Sequence, residues 1–329
     1  MMTETLTLGK ALNHGLRRAL ENDPKVVIMG EDVGKLGGVF RITDGLQKDF
    51  GENRVIDTPL AEAGVVGTAV GLAIRGYRPV CEIQFDGFVF PAYNQIVAQV
   101  AKMYYRSLGN VRLPIVIRIP YGGGIGAVEH HSESPEAYFS HTPGLKVVTC
   151  SNPADAYAMI QQSITSDDPI VFFEPKRRYW EKGEVDLSLA AQDAYPLHSA
   201  RVLTEGADAT VIAYGPMVRV ALDAAAAAAE DSRHLEVIDL RSLSPLDLDP
   251  VYASVRKTGR AVVVHEAPGN VGLGAEIAAR VTEQCFYSLE APVLRVTGYD
   301  TPYPAARVEE EYLPDLDRVL DAVDRSFGW

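Results

Sequence analysis

The chain has 329 residues, 47% of them hydrophobic, with 31 Lys and Arg set against 44 Asp and Glu for a net charge of −13. That composition supplies real cores and argues against disorder, and the length suits two domains of ordinary size or one large one. The acidic balance is poor for binding nucleic acid, which needs clustered basic residues against phosphate, and no apolar run is long enough to span a bilayer.

The N-terminal stretch MMTETLTLGKALNHGL has neither the shape of a secretion signal nor that of an Arg-rich transit peptide, and helical periodicity begins almost at once. A bacterial-type cytoplasmic protein is expected. KVVIMGEDV (25–33) then reads as a buried strand running into a Gly-containing loop. In VIDTPLAEAGVVGTAVGLAIRG (55–76), Thr58 can cap a helix and Pro59 suits its first turn. That helix is almost without a polar face, so burial against close neighbours is expected. Glu62 is the exception, because a buried carboxylate must find a partner or hold its proton. Bottom-up, an acid favoured by the dipole at a helix start is an equally good account of it.

RPVCEIQF (78–85) reads as a strand, YNQIVAQVAKMYYRS (93–107) as a helix, and LPIVIRIP (113–120) and DPIVFFEP (168–175) as interior strands. Strands apolar on both faces and separated by helices indicate a parallel sheet covered on both sides. Between them lies GGGIGAVEHHSESPEAYF, a Gly-rich loop leading into a helix near Pro135, with glycines to give it freedom and a His able to exchange protons near neutrality. His130, His131, Glu133 and His141 are metal-ligating types, but their spacing fits no standard zinc pattern.

Residues 181–200 are polar and weakly periodic and read as a connection, which divides the chain into domains at 1–190 and 191–329. A second α/β series follows: strand DATVIAYG, Ala-rich helix VRVALDAAAAAAED, strand and turn HLEVIDLRSLSPLD, strand GRAVVVHEAPG, helix GLGAEIAARVTEQC and strand APVLRVTGYD. Gly272-Leu-Gly274 mimics a dinucleotide fingerprint, but Ile277 stands where the third Gly belongs and no acidic residue ends a second strand. Cys81, Cys150 and Cys285 are too widely spaced for a metal pair and suit buried reduced thiols.

Nine of these segments, in order from about Thr5 to Tyr312, resemble one family: VVIMGEDVG, GGVFRITDGL, DTPLAEAG, EIQFDGFVFPAYNQI, HHSESPEAYFSHTPGLKVV, DPIVFFEPKRRYW, EVIDLRSLSPLD, HEAPGNVGLGAEIA and GYDTPYP. The chain looks like the beta subunit of the thiamin-diphosphate-dependent 2-oxo acid dehydrogenases. The resemblance implies an α/β fold of two domains, a transketolase-type pyrimidine-binding domain with a mostly parallel sheet and a smaller transketolase C-terminal-type domain. It also implies an α2β2 heterotetramer with an alpha subunit, cofactor sites shared between the two chains, and a lipoyl acyltransferase core that accepts the acyl group. HSESPEAYF and HTPGLKVV resemble the branched-chain (2-oxoisovalerate) type more than the pyruvate type, which stays the alternative.

By resemblance, Glu62 is the carboxyl group that hydrogen-bonds a pyrimidine ring nitrogen of thiamin diphosphate and favours its imino tautomer. Leu60 matches a residue whose backbone faces the pyrimidine, Phe88 the aromatic that stacks on it, and Gln84 a polar residue of the same pocket. Phe85 and Phe90 read as core. Asp86-Gly87 stands where some branched-chain members have Ala-Asp. His131 matches the family His that binds the 2-oxo acid or intermediate and assists acyl transfer to lipoyl. A potassium ion held largely by backbone carbonyls is known in branched-chain members. Its positions match Leu113, Ile115 and Val116, with Ser163, Ser166 and Asp168 nearby, Ser166 standing where some members have Asp.

The diphosphate needs Mg²⁺, which usually sits on a GDG motif followed by Asn-Asn, and neither occurs in this chain. The resemblance assigns the Mg²⁺ to the alpha subunit. Two other classes remain: a nicotinamide-dependent oxidoreductase, which lacks its glycine fingerprint, and a non-catalytic scaffold, which Glu62, Phe88 and His131 argue against. The acidic RVEEEYLPDLD segment (307–317) reads either as a docking surface for a basic acyltransferase domain or as an ordinary solvated face.

Overall fold

The computed structural model describes residues 3–329. The first half comprises β1 (Thr3–Thr7), α1 (Leu8–Asn22), β2 (Val26–Gly30), α2 (Leu46–Phe50), β3 (Val55–Asp57), α3 (Glu62–Ile74), β4 (Arg78–Glu82), α4 (Met103–Arg106), β5 (Val116–Tyr121), α5 (Glu136–Ser140), β6 (Lys146–Thr149), α6 (Pro153–Thr165), β7 (Ile170–Pro175) and β8 (Lys182–Asp186). The second comprises β9 (Arg201–Thr204), β10 (Ala209–Ala213), α7 (Met217–Glu230), β11 (Leu235–Asp239), β12 (Ser242–Ser244), α8 (Asp249–Thr258), β13 (Ala261–Pro268), α9 (Leu273–Cys285), β14 (Leu294–Gly298), α10 (Glu309–Tyr312) and α11 (Leu316–Ser326).

β2, β5 and β7 are buried along their whole length, as strands covered by helices on both faces must be. They lie in a seven-stranded sheet of order β12-β6-β7-β5-β4-β2-β3, parallel except at its β12 edge. The second sheet runs β14-β13-β10-β11-β9, with only β9 antiparallel. β12 belongs to the second half in sequence yet pairs with β6 of the first. Arg241, just before it, is fully buried and bonds Asp155 Oδ1 at 3.1 Å and the carbonyls of Pro196 (2.7 Å) and Ser199 (2.9 Å), so the two halves share one polar seam. All three cysteines are free and buried. Among the described residues no helix is long and apolar enough to cross a membrane.

The structure corrects four local expectations. The 55–76 helix starts at Glu62 rather than Thr58, because the Thr58 amide bonds the Gly30 carbonyl at the end of β2 and the chain bends at Leu60 before the helix begins. That helix buries Val65, Val66, Ala69 and Ala73 but leaves Gly64, Thr68, Gly71 and Ile74 open, so it is covered on one side only. The expected helix over 93–107 is interrupted: a π-helical stretch occupies Gln95–Val100, and α4 follows after a turn. Part of the expected connection is β8, which pairs antiparallel with β1.

Candidate active site

The loops leaving β2, β3, β4 and β5 carry Glu31, Glu62, Phe88 and His131 in turn, and these four strands are neighbours in the order β5-β4-β2-β3. All four side chains therefore stand at the carboxyl edge of a parallel sheet, where open α/β folds bind ligands. α3 packs on residues 86–92, which joins the Glu62 end of the site to the Phe88 end.

Glu62 opens α3, is half-buried, and makes no hydrogen bond or ion pair among the described residues. Burial, then Asp32 and Glu62, hold the Glu31 carboxyl above its ordinary range. Glu31, Asp32 and Glu62 thus gather negative charge at this end of the site. Leu60, just before the helix, is 69% exposed, and Gln84 is half-buried with its amide unpaired among the described residues.

Phe88 and His131 meet edge to face with ring centroids 5.2 Å apart. The Phe85 ring lies 4.2 Å from the imidazole and the His130 ring 4.3 Å from it, and Phe85 is itself backed by Phe40 at 5.5 Å. Phe85 is thus part of the His131 cradle rather than anonymous core. Phe90 is not core either: it is 42% exposed beside Tyr93 and Tyr138. Burial first, then His130 and Lys176, hold the His131 imidazole below its usual pKa. The ring is therefore neutral near pH 7, able to accept a proton on one nitrogen and donate from the other. His130 is exposed, with Glu129 3.7 Å away.

The Gly-rich loop is not free. Its Gly122, Gly124 and Gly126 take positive φ, which suits glycine. Its amides are held by two carboxylates of the second half: Gly123 N–H donates to Glu266, and Gly124 and Gly126 donate to Glu309 at 2.9 and 3.0 Å. Glu309 also accepts from the Tyr303 hydroxyl at 2.7 Å. Of the acidic segment 307–317, Glu309 thus turns inward, and Glu310 pairs with Arg177 at 3.2 Å.

Beneath the loop lies a buried polar layer that sequence reasoning missed. Lys176 and Asp86 form a fully buried ion pair, Lys176 Nζ donates to the His131 carbonyl at 2.6 Å, and Asp86 Oδ2 accepts from Glu133 N–H at 2.8 Å. The visible signal was a lysine directly after the apolar run VFFEP. Tyr214 donates to Glu136 at 2.6 Å, and burial pushes Glu136 up to about 8 and Glu266 up to about 7. Arg118, fully buried, bridges Glu174 and Glu82, both at 2.6 Å, and braces the sheet under the site.

The positions expected around potassium do adjoin one another, since Ile170 N–H bonds the Ile115 carbonyl. Their oxygens are largely engaged. The Leu113 and Ile115 carbonyls accept backbone bonds, Ser163 Oγ donates to Met159 at 2.7 Å, and Ser166 O accepts from Arg78 at 2.9 Å. Asp168 pairs with Lys146 at 2.8 Å. Val116 opens β5 with its side chain in the core. Arg78 and Lys146 thus bring two cationic side chains to this corner, while each carbonyl keeps a second lone pair. Among the described residues no group of three or more His, Cys, Asp and Glu side chains is arranged to hold a metal ion.

Gly272 and Gly274 serve packing. Gly272 caps α9, and a β-carbon on Gly274 would overlap the fully buried His265, whose Nε2 accepts the Gly274 amide at 3.2 Å.

Comparison with known proteins agrees with this architecture. Residues 4–181 match the transketolase pyrimidine binding domain and residues 198–319 the transketolase C-terminal domain. The pyruvate dehydrogenase E1 component subunit beta of Leifsonia xyli is 63% identical over 99% of this chain and 96% of its own. The 3-methyl-2-oxobutanoate dehydrogenase subunit beta of Mycobacterium tuberculosis is 51% identical over 98% and 92%. A split-gene transketolase, solved as an inactive beta4 tetramer, superposes with a TM-score of 0.78 at 23% identity over 98% of each chain, a likeness of fold.

Proposed function

The chain belongs to the E1 beta subunits of the thiamin-diphosphate-dependent 2-oxo acid dehydrogenases, built from a transketolase pyrimidine-binding and a transketolase C-terminal domain, and from that premise we propose that it works with an alpha subunit on branched-chain 2-oxo acids. The acyl group goes to the lipoyl group of an acyltransferase. The observation that carries the site reading is the convergence of Glu62, Phe88 and His131 at the ends of β3, β4 and β5.

When bound, thiamin diphosphate supplies a thiazolium carbon nucleophile and an electron sink for loss of carbon dioxide. The pyrimidine half of the cofactor suits the residues present: an unpartnered carboxyl at Glu62, the aromatic face of Phe88, and the open backbone of Leu60 with the Gln84 amide beside them. Glu62 holds or releases a proton toward a ring nitrogen, which is general acid–base work in a site that assembly dries. Neutral His131 orients the 2-oxo acid and exchanges a proton as the acyl group leaves for lipoyl. Mg²⁺ and the diphosphate fall to the alpha subunit on this reading, and potassium has no assigned role.

Support for branched-chain substrates lies in the Ser134–Glu136 run and the Mycobacterium tuberculosis relative. The Leifsonia xyli relative favours pyruvate as a second reading. The deciding experiment co-expresses the chain with an alpha subunit and assays decarboxylation of 2-oxoisovalerate, its branched homologues and pyruvate with thiamin diphosphate and Mg²⁺. A higher kcat/KM for the branched acids upholds the proposal. A preference for pyruvate overturns it, and turnover by the lone chain overturns the division between subunits.

A further inference from the structure

His131 has no hydrogen bond to its ring among the described residues, so what aims the imidazole must act through its neighbours and its main chain. Three rings, Phe85, His130 and Phe88, pack on it with centroids 4.2, 4.3 and 5.2 Å away. Two charged groups fix its backbone. Lys176 Nζ donates to the His131 carbonyl at 2.6 Å, and Asp86 Oδ2 accepts the Glu133 amide at 2.8 Å. These charges are paired with each other and both are fully excluded from solvent. Between Phe85 and Phe88, Gly87 lies so close that a β-carbon on it would run into the main chain of His130.

A buried ion pair contributes little net stability compared with apolar residues of the same volume, so its placement calls for another explanation. Here each partner makes a further hydrogen bond to one loop, at positions two residues apart. Lys176 comes from the end of β7 and Asp86 from the end of β4, so the loop after β5 is fastened to both strands that flank β5 in the sheet. We propose that the Asp86–Lys176 pair is a positioning device for the catalytic loop, registering residues 131–133 so that the His131 imidazole faces the acyl group. The proposal rests on the reading of His131 as a site residue. A displacement of about 1 Å in such a group is enough to cost on the order of 10²-fold in rate.

The test uses the assembled alpha–beta complex in three forms: His131→Ala, the paired Asp86→Asn/Lys176→Met, and all three changes together. The paired change removes both charges at once and so avoids stranding one of them. Acylation of a lipoyl domain is measured beside 2-oxo-acid-dependent reduction of an artificial electron acceptor, with hydrogen exchange across residues 128–133. The expected result for the paired variant is a roughly 10- to 100-fold loss of acylation, a smaller loss with the artificial acceptor, and faster exchange confined to that loop. The triple variant should be no worse than His131→Ala alone. Acylation within about twofold of the parent, or losses that multiply with His131→Ala, overturns the proposal and leaves the pair a structural brace. His131→Ala acting as the parent does would instead overturn the site reading beneath it. Should the paired variant not assemble, Asp86→Asn alone is read by the same measurements and criteria.

Discussion

The hydroxyl of Tyr303 occupies the space that a β-carbon on Gly123 would need. The contact joins the loop after β5 to the second half, and Tyr303 passes the restraint on by donating to Glu309, which holds the amides of Gly124 and Gly126. Gly123→Ala must therefore push Tyr303 away or lift the loop.

Overpacking of this kind costs about 1–3 kcal/mol. Gly123→Ala is expected to lower the denaturant midpoint by that order and to reduce lipoyl acylation more than cofactor-dependent decarboxylation. Tyr303→Phe should recover part of the midpoint in the double variant, because the hydroxyl is the nearest obstacle. Additive losses in the double variant would falsify this account.

The parallel sheet was legible because β2, β5 and β7 are short apolar runs between helices, and Glu62 stood out as one carboxylate in an apolar helix. What escaped were relationships rather than residues. β12 crosses from the second half to pair with β6, and nothing local in SLS announces a partner far back in the chain. The glycines after β5 suggested freedom, while the fold uses them to admit Glu266, Glu309 and Tyr303 from the other half. Asp86 and Lys176 are 90 residues apart and look like ordinary polar residues until the sheet brings them together. Helix α3 was read as buried on its small apolar residues, yet this chain covers only one side of it.

Glu62→Gln separates a proton-handling role from a helix-start role. An acid that merely favours a helix N-terminus contributes about 0.3–1 kcal/mol, and its amide should cost little else. A group that must hold and release a proton loses on the order of 10²–10⁴-fold in turnover. The second outcome is expected, in a complex whose mass is unchanged by native mass spectrometry. Turnover within a few-fold of the parent assigns Glu62 to the helix alone.

Burial pushes Glu136 up to about 8 and Glu266 up to about 7, above the ordinary value of 4.5. The folded chain therefore binds more protons than the unfolded chain between pH 4.5 and those values. The stabilisation is complete below pH 4.5 and is lost as pH rises through 7 and 8. Each group contributes a slope of up to about 1.4 kcal/mol per pH unit in its window. Denaturant midpoints taken from pH 5.5 to 8.5 should fall with pH, and the fall should flatten in Glu136→Gln and in Glu266→Gln. An unchanged slope in both variants removes these two carboxyls as its source.

Arg118 is fully buried and holds Glu174 through Nε and the second guanidinium nitrogen while its third nitrogen bonds Glu82. Tyr179 adds a hydroxyl to Glu174 at 2.6 Å, so the carboxylates are bound from more than one side. Removing the cation leaves two buried acids facing each other, and burial already holds Glu82 above its ordinary range with Arg118 in place. Arg118→Met should destabilise by about 3–5 kcal/mol, the cost of stranding a buried charge. Adding Glu82→Gln and Glu174→Gln to it should recover much of that loss, because an apolar or neutral cluster of similar volume has no charge to strand. The denaturant midpoints of the single and triple variants decide the matter: equal midpoints mean that Arg118 acts through packing of its stem rather than through its charge.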